Sequence, residues 1–94
     1  MSLDPRKQFG MRLSELRKAK GWSQERLALE SGVARNYLGG VERGQRNIAL
    51  LNIVRLAETL GVAPSALLEK PSAAGSAGAD ELTQVADNEQ VSGP

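Results

Sequence analysis

The apolar residues between Gln24 and Arg43 repeat with the period of an α-helix, and a single glycine interrupts the repeat. Gly32 can adopt the left-handed conformation that ends a helix, so the chain is predicted to turn sharply there. Ala28 offers a small side chain where two helices that cross over a short turn come close. The residues predicted to face the core are Leu27, Ala28, Ser31, Val33, Leu38 and Val41. This stretch is therefore predicted to form two short helices joined by a tight turn.

The same periodicity predicts one helix before this pair and two helices after it. Asp4 and Pro5 have the residue types of a helix N-cap and first position, and Gly21 is suited to end that helix. Its buried stripe is predicted to consist of Phe9, Leu13 and Leu16, with Arg12 on a more solvent-exposed face. The later helices are predicted from the apolar stripe Ile48, Leu50, Ile53, Val54, Ala57 and Leu60, and from Pro64 with Leu67 and Leu68 behind it. The predicted fold class is all-α, a compact five-helix domain.

Charge and composition divide the chain near residue 70. Ninety-four residues allow one domain with a modest core. Residues 1–70 contain all twelve Lys and Arg but only seven of the eleven acids, whereas residues 71–94 contain four acids and no base. The second part is rich in Ala, Gly and Ser, so it is predicted to be a flexible acidic C-terminal tail. The basic domain, residues 1–70, is expected to attract polyanions.

Residue types that are missing restrict the chemistry. The chain has no Cys and no His, which excludes a disulfide, a thiol nucleophile, an imidazole base and the common kinds of zinc site. The acids are scattered singly, so we predict no catalytic site, no metal and no cofactor, and hence a protein that is not an enzyme. The sequence contains no apolar run of about 18 residues and no signal-peptide pattern, which predicts a soluble, cytoplasmic protein without membrane partners.

Three short stretches carry a family resemblance: G-W-S-Q-E-R-L-A from Gly21, S-G-V from Ser31 and V-E-R-G-Q-R-N from Val41. In this combined spacing the sequence closely resembles the phage Cro/repressor-type helix-turn-helix proteins, also called the XRE family. The resemblance runs from about Phe9 to Leu68. It implies a domain that binds double-stranded DNA and inserts its third helix into the major groove. It also implies a bacterial or phage protein that acts in the cytoplasm at the nucleoid.

In such a unit the first residues of the third helix face the base edges. Arg35 and Asn36 are therefore predicted to read bases, because Arg suits guanine O6 and N7 and Asn suits adenine N6 and N7. Tyr37 follows as a third candidate, either through a thymine methyl or a phosphate, or only as an aromatic packed at the helix edge. Gln24 presents a side-chain amide and free backbone donors at a helix N-terminus, which together are suited to a phosphate. By resemblance, the residues expected to hold the adjacent phosphates are Arg43, Arg46 and Asn47.

Two further expectations concern stability. The resemblance implies a largely buried ion pair between Arg17 and Glu42, tying the first helix to the third; the alternative is two exposed charges. Ala34, Ala49 and Ala63 stand where helix N-caps are predicted, and alanine offers no side-chain acceptor there. Gly39 and Gly40 lower the helix propensity of the third helix. We therefore predict a domain of limited stability.

A domain of this size makes few DNA contacts, so we predict a homodimer that binds a pseudo-palindrome with half-sites about 34 Å apart. The function predicted is that of a sequence-specific transcriptional regulator, most simply a repressor. One alternative is an antitoxin-like protein-interaction module. Another is the controller protein of a restriction-modification system. A protein partner, such as a toxin or a polymerase, is left open by the sequence.

Overall fold

Five α-helices and the loops between them make up the computed structural model, which describes residues 4–72. The helices are α1 (Pro5–Ala19), α2 (Gln24–Ser31), α3 (Arg35–Glu42), α4 (Leu50–Leu60) and α5 (Pro64–Leu67). The predicted all-α class and the number of helices are confirmed. The flexible tail was predicted for residues 71–94, and of these residues 73–94 lie outside the described part of the chain.

The helix starts fall into two groups. Asp4 and Ser23 cap α1 and α2, each accepting a hydrogen bond from a backbone N–H of the first turn, at 2.8 Å and 3.0 Å. Ala34, Ala49 and Ala63 occupy the N-cap positions of α3, α4 and α5, and none of them makes a side-chain cap. The three missing caps predicted from the sequence are confirmed. The later three helices therefore depend more on packing than on their own ends.

The core lies where α1 to α4 meet and is closed by α5. Its buried apolar residues are Phe9, Leu13, Leu27, Ala28, Val33, Leu38, Val41, Leu56, Ala57, Leu60 and Leu67. Leu50, which the predicted stripe assigned to the core, is in fact exposed and retains 72% of its accessible surface, and Leu68 retains 61%. Leu50 is the first residue of α4 and Leu68 follows the last residue of α5, so both lie at helix ends. Leu56, which the predicted stripe omitted, is fully buried.

Two contacts of α1 are not visible in the sequence pattern. Gly10 lies against the last turn of α3, where a Cβ would collide with the carbonyl oxygens of Val41 and Glu42. Arg12 was expected on a more solvent-exposed face of α1. Instead, its Nε donates to the carbonyl oxygen of Ala66 at 2.7 Å, and its guanidinium pairs with Glu69 at 3.1 Å. The prediction for Arg12 was wrong because that face of α1 is covered by α5, which joins the helix only in the tertiary structure.

None of the five helices in residues 4–72 combines the length and the apolar character that a membrane span requires.

Candidate nucleic-acid interface

The turn between α2 and α3 has the geometry that the sequence predicted. Gly32 adopts φ 76° and ψ 11°, the left-handed region, and its N–H donates to the carbonyl oxygen of Ala28 at 2.9 Å. Ser31 is buried, and its hydroxyl donates to Ala28 and accepts from the N–H of Val33. These bonds leave few ways to change the angle of the turn. The direction of α3 relative to α2 is therefore well defined.

A buried ion pair fixes the end of α3 to α1. Arg17 donates through Nε and Nη2 to the two carboxylate oxygens of Glu42, at 2.8 Å and 3.0 Å. Only 9% of the Arg17 side chain and 6% of the Glu42 side chain are exposed. Nη1 of Arg17 also donates to the carbonyl oxygen of Trp22 at 2.8 Å, so the guanidinium is satisfied on several sides. The pair implied by the family resemblance is thus present, and it is bidentate.

Gln24 belongs to the same network. Its Nε2 donates to Oε1 of Glu42 at 2.8 Å, so the side-chain amide nitrogen is used inside the protein. The sequence had assigned this residue to a phosphate through both its amide and its helix N-terminus. In the structure the backbone N–H at the first position of α2 remains as the donor suited to that role.

The side of α3 that points away from the core is lined with donor groups. Arg35 and Asn36 are exposed in its first turn, and Arg43 is exposed at its C-cap. The two guanidinium groups come close to each other over Gly39: a Cβ there would lie 3.2 Å from Nη1 of each arginine. The opposite side of the same helix buries Leu38 and Val41 completely or nearly so. The eight residues of α3 thus separate a core side from a donor side.

Tyr37 lies between these two sides and is held by protein groups. Its hydroxyl donates to the carbonyl oxygen of Asn47 at 3.2 Å and accepts from Nδ2 of Asn52 at 3.5 Å. The ring is half-buried against the core, with the guanidinium of Arg46 5.9 Å from its centre. Of the roles considered for Tyr37, these contacts favour packing that connects α3 to the loop before α4.

The loop after α3 brings Arg46 and Asn47 to the same region. Both are exposed, and the aliphatic part of Arg46 lies over Gly40, where a Cβ would come within 2.8 Å of its Cγ. The sequence analysis considered Gly39 and Gly40 for their weak helix propensity. In the structure each makes room for an arginine. The sequence did contain a signal for this arrangement: two adjacent glycines lie inside a short helix, with arginines on either side of them.

The electrostatics of this surface are simple. Within residues 4–72, Arg35, Arg43 and Arg46 form no salt bridge with a carboxylate, and Nε of Arg43 donates only to the neutral Oε1 of Gln45 at 3.2 Å. The described residues also contain no cluster of acids that could hold a metal ion. The surface is thus positively charged and rich in donors, which suits an anionic, acceptor-rich partner.

Comparison with known proteins places this arrangement in a family. The family model described as "Helix-turn-helix" matches residues 13–67, which include all of α2 to α5 and half of α1. The chain belongs to the helix-turn-helix family. The resemblance found in the sequence is therefore confirmed, and the helix-turn-helix unit of this chain is α2, the Gly32 turn and α3.

Individual relatives agree with this assignment. A hypothetical transcription factor of Neisseria meningitidis is 51% identical over 63 residues, which are 67% of this chain and 58% of the relative. The chain thus spans less than two thirds of that relative. The crystal structure of the restriction-modification controller protein C.AhdI of Aeromonas hydrophila is 58% identical, with a TM-score of 0.65, covering 66% of this chain and 94% of that one. SinR of Bacillus subtilis, solved in complex with DNA, is 34% identical with a TM-score of 0.63, covering 65% and 98%.

Proposed function

We propose that this helix-turn-helix protein is a sequence-specific double-stranded DNA-binding transcriptional regulator, most simply a repressor, that places α3 in the major groove. The observation that carries the proposal is the donor side of α3: Arg35, Asn36 and Arg43 are exposed together, while the other side of the helix is held in the core. An α-helix fits the major groove, and base edges there present acceptors to such donors. The proposal places the protein at a bacterial or phage genome.

Within this proposal the residues have different roles. Arg35 and Asn36 contact base edges, because the first turn of the inserted helix is the part that approaches them. Arg46, Asn47 and the first backbone N–H of α2 contact phosphates, which positions the protein without selecting sequence. Arg17 and Glu42 hold the inserted helix in place and do not contact DNA.

The experiment that tests this function begins with selection of bound duplexes from a random DNA pool. Affinity for the selected duplex and for a random duplex is then measured by fluorescence anisotropy across a salt series. Arg35→Ala should reduce discrimination at one base pair by about 1–3 kcal/mol. Arg46→Ala should weaken both duplexes alike and lower the salt slope by about one unit. Lys18→Ala removes one exposed charge from α1 and serves as the matched control. Failure to select any common sequence would overturn the proposal.

We further propose that the protein acts as a homodimer. Leu50, Leu51 and Leu68 are large apolar residues with 72%, 75% and 61% of their surfaces exposed. Leu50 and Leu51 are adjacent at the start of α4, so burial against a second copy would remove apolar surface from water. Sedimentation of the wild-type protein on the selected duplex should show two copies. Leu51→Glu should shift the free protein toward monomer, whereas Leu29→Glu, at an exposed position on α2, should not.

A more specific role as a restriction-modification controller protein is a second candidate. It is favoured by the 58% identity to C.AhdI together with the 94% coverage of that chain. Under this candidate the bound site would lie upstream of genes for a restriction endonuclease and its methyltransferase. Genome-wide mapping of bound sites in the source cell distinguishes it from a general repressor, because a controller would occupy its own operon and few other sites.

A further inference from the structure

Gly39 lies at the centre of the donor side of α3, four residues after Arg35 and four before Arg43. Residues at this spacing share one face of a helix. The position that a Cβ would take on Gly39 is 3.2 Å from Nη1 of Arg35, 3.2 Å from Nη1 of Arg43 and 3.7 Å from Oε1 of Gln24. Both arginine side chains thus extend over the same turn of backbone, and Gly39, which is itself buried beneath them, has no side chain to hold them apart.

Two guanidinium groups that converge in this way repel each other unless a shared acceptor lies between them. Among residues 4–72 no carboxylate pairs with either arginine. The nearby Gln24 contributes an acceptor oxygen beside this turn, and its amide is held in that orientation by the bond to Glu42. The arrangement is therefore a pair of oriented donors that lacks a charged partner within the described domain.

We propose that Arg35 and Arg43 act as one unit that binds the O6 and N7 acceptors of a single guanine, and that Gly39 is the positioning residue of this unit. The inference rests on the proposed function and makes it more specific. A base edge is preferred to a phosphate because Arg43 extends back over Gly39 toward Arg35, which lies in the first turn that approaches the bases, whereas phosphates flank the groove. Arg43, which the sequence assigned to a phosphate, thereby becomes a base reader.

The first test is Gly39→Ala, which should move stability and DNA binding in opposite directions. Alanine favours the helix, and the contacts that it makes are with flexible ends of side chains, so the melting temperature should rise by roughly 4 to 8 °C. The Cβ displaces both guanidinium groups, so affinity for the selected duplex should fall by about tenfold or more. Unchanged affinity in a folded Gly39→Ala protein would overturn the inference.

A double-mutant comparison separates positioning from a direct clash between the new methyl group and DNA. In the Arg35→Ala, Arg43→Ala background, Gly39→Ala should have no further effect on affinity, because no guanidinium remains to be displaced. A loss that persists in this background would show that the methyl group itself meets the DNA, and the positioning role would be wrong.

The second test locates the acceptor. Guanines of the selected duplex are replaced one at a time by 7-deazaguanine, which lacks N7. The wild-type protein should lose affinity at one guanine, and Arg35→Ala and Arg43→Ala should each lose sensitivity at that same guanine. If Arg43→Ala keeps this sensitivity and instead becomes insensitive to a single methylphosphonate, Arg43 is a phosphate contact and the shared site is wrong. In that case the protein still selects a DNA sequence, so the proposed function is unaffected.

Discussion

The two sides of α3 differ in what holds them. On the inner side Leu38 and Val41 are 0% and 1% exposed, and Glu42 is fixed by Arg17 and Gln24. On the outer side Arg35 and Arg43 are exposed and make no ion pair within the described residues. The helix has only eight residues and no side-chain cap, so isolated it would not persist in water. The outer side is therefore oriented by contacts made on the inner side.

Because of this difference, substitutions on the two sides should affect different properties of the protein. Changes on the inner side should lower the free energy of unfolding, and DNA selectivity should be retained by whatever fraction remains folded. Changes on the outer side should alter DNA binding while the domain stays folded. The following variants test this separation, beginning with the largest expected effect.

Glu42→Ala should be the most damaging single change on the inner side. It strands the buried guanidinium of Arg17 and also frees the amide of Gln24. Removing one partner of a buried pair typically costs about 3–5 kcal/mol, and this should appear as a lower midpoint in urea unfolding.

The control for Glu42→Ala replaces both partners, as Arg17→Met with Glu42→Leu. An apolar pair leaves no stranded charge, so much of the lost stability should return. If the single and double variants unfold at the same urea concentration, the ion pair is not what joins α1 to α3. Selectivity for the duplex should be retained in the double variant, because the apolar pair still packs α3 against α1 and leaves Arg35 and Asn36 unchanged.

Ala34→Ser tests the start of α3. Ala34 is exposed and has the extended backbone of an N-cap, with φ −61° and ψ 137°, so a serine hydroxyl can accept from the first turn without rearrangement. The free energy of unfolding should increase by about 0.5–2 kcal/mol. Ala49→Ser at the start of α4 should give a similar gain and serves as the comparison. A lower melting temperature in both variants would contradict the assignment of Ala34 and Ala49 as N-cap positions that lack a side-chain acceptor.

Tyr37→Phe tests the residue that lies between the two sides. The hydroxyl bonds Asn47 and Asn52, so its removal should lower the free energy of unfolding by about 0.5–1.5 kcal/mol. Discrimination between the selected and random duplexes should be unchanged. Reduced discrimination at full stability would instead make Tyr37 a base reader.

Asp4 provides the smallest effect and lies away from both sides of α3. Hydrogen bonds from the Arg6 side chain and then from its backbone N–H lower the pKa of Asp4 from 3.8 to about 2. A lowered pKa means that the carboxylate stabilises the fold above pH of about 4 and loses this contribution as the pH falls toward about 2. Asp4→Asn keeps a capping side chain without a titrating group. The melting temperature of the wild type should therefore fall more than that of Asp4→Asn over this range.

Local patterns in the sequence were sufficient for most of the fold. Gly21 and Gly32 were predicted to end helices, and both have positive φ. The periodic stripes located the inner side of α2 and α3, because a helix surrounded by a core must place its apolar residues on one face. The same reasoning misplaced Leu50, since periodicity locates a face of a helix but not how far along that face the core extends.

The candidate interface was predictable in its residue types but not in its pairings. The sequence placed Arg35, Arg43, Arg46 and Asn47 near one another, and the structure brings them to one surface. It assigned the amide of Gln24 outward, whereas that amide binds Glu42, eighteen residues away. It also gave no indication that Gly10 allows α1 to touch the backbone of α3. These contacts join distant residues, and helical periodicity carries no information about them.

The sequence alone determined where the helices begin and end, the direction of the turn at Gly32 and the existence of a donor-rich side on α3. Those features depend on interactions within about four residues, which the order of residue types specifies directly. Only the tertiary structure decided that Arg12 joins α5 and that Gln24 is held by the Arg17–Glu42 pair. Each of these contacts joins side chains of different helices, so it is decided only when the helices pack together.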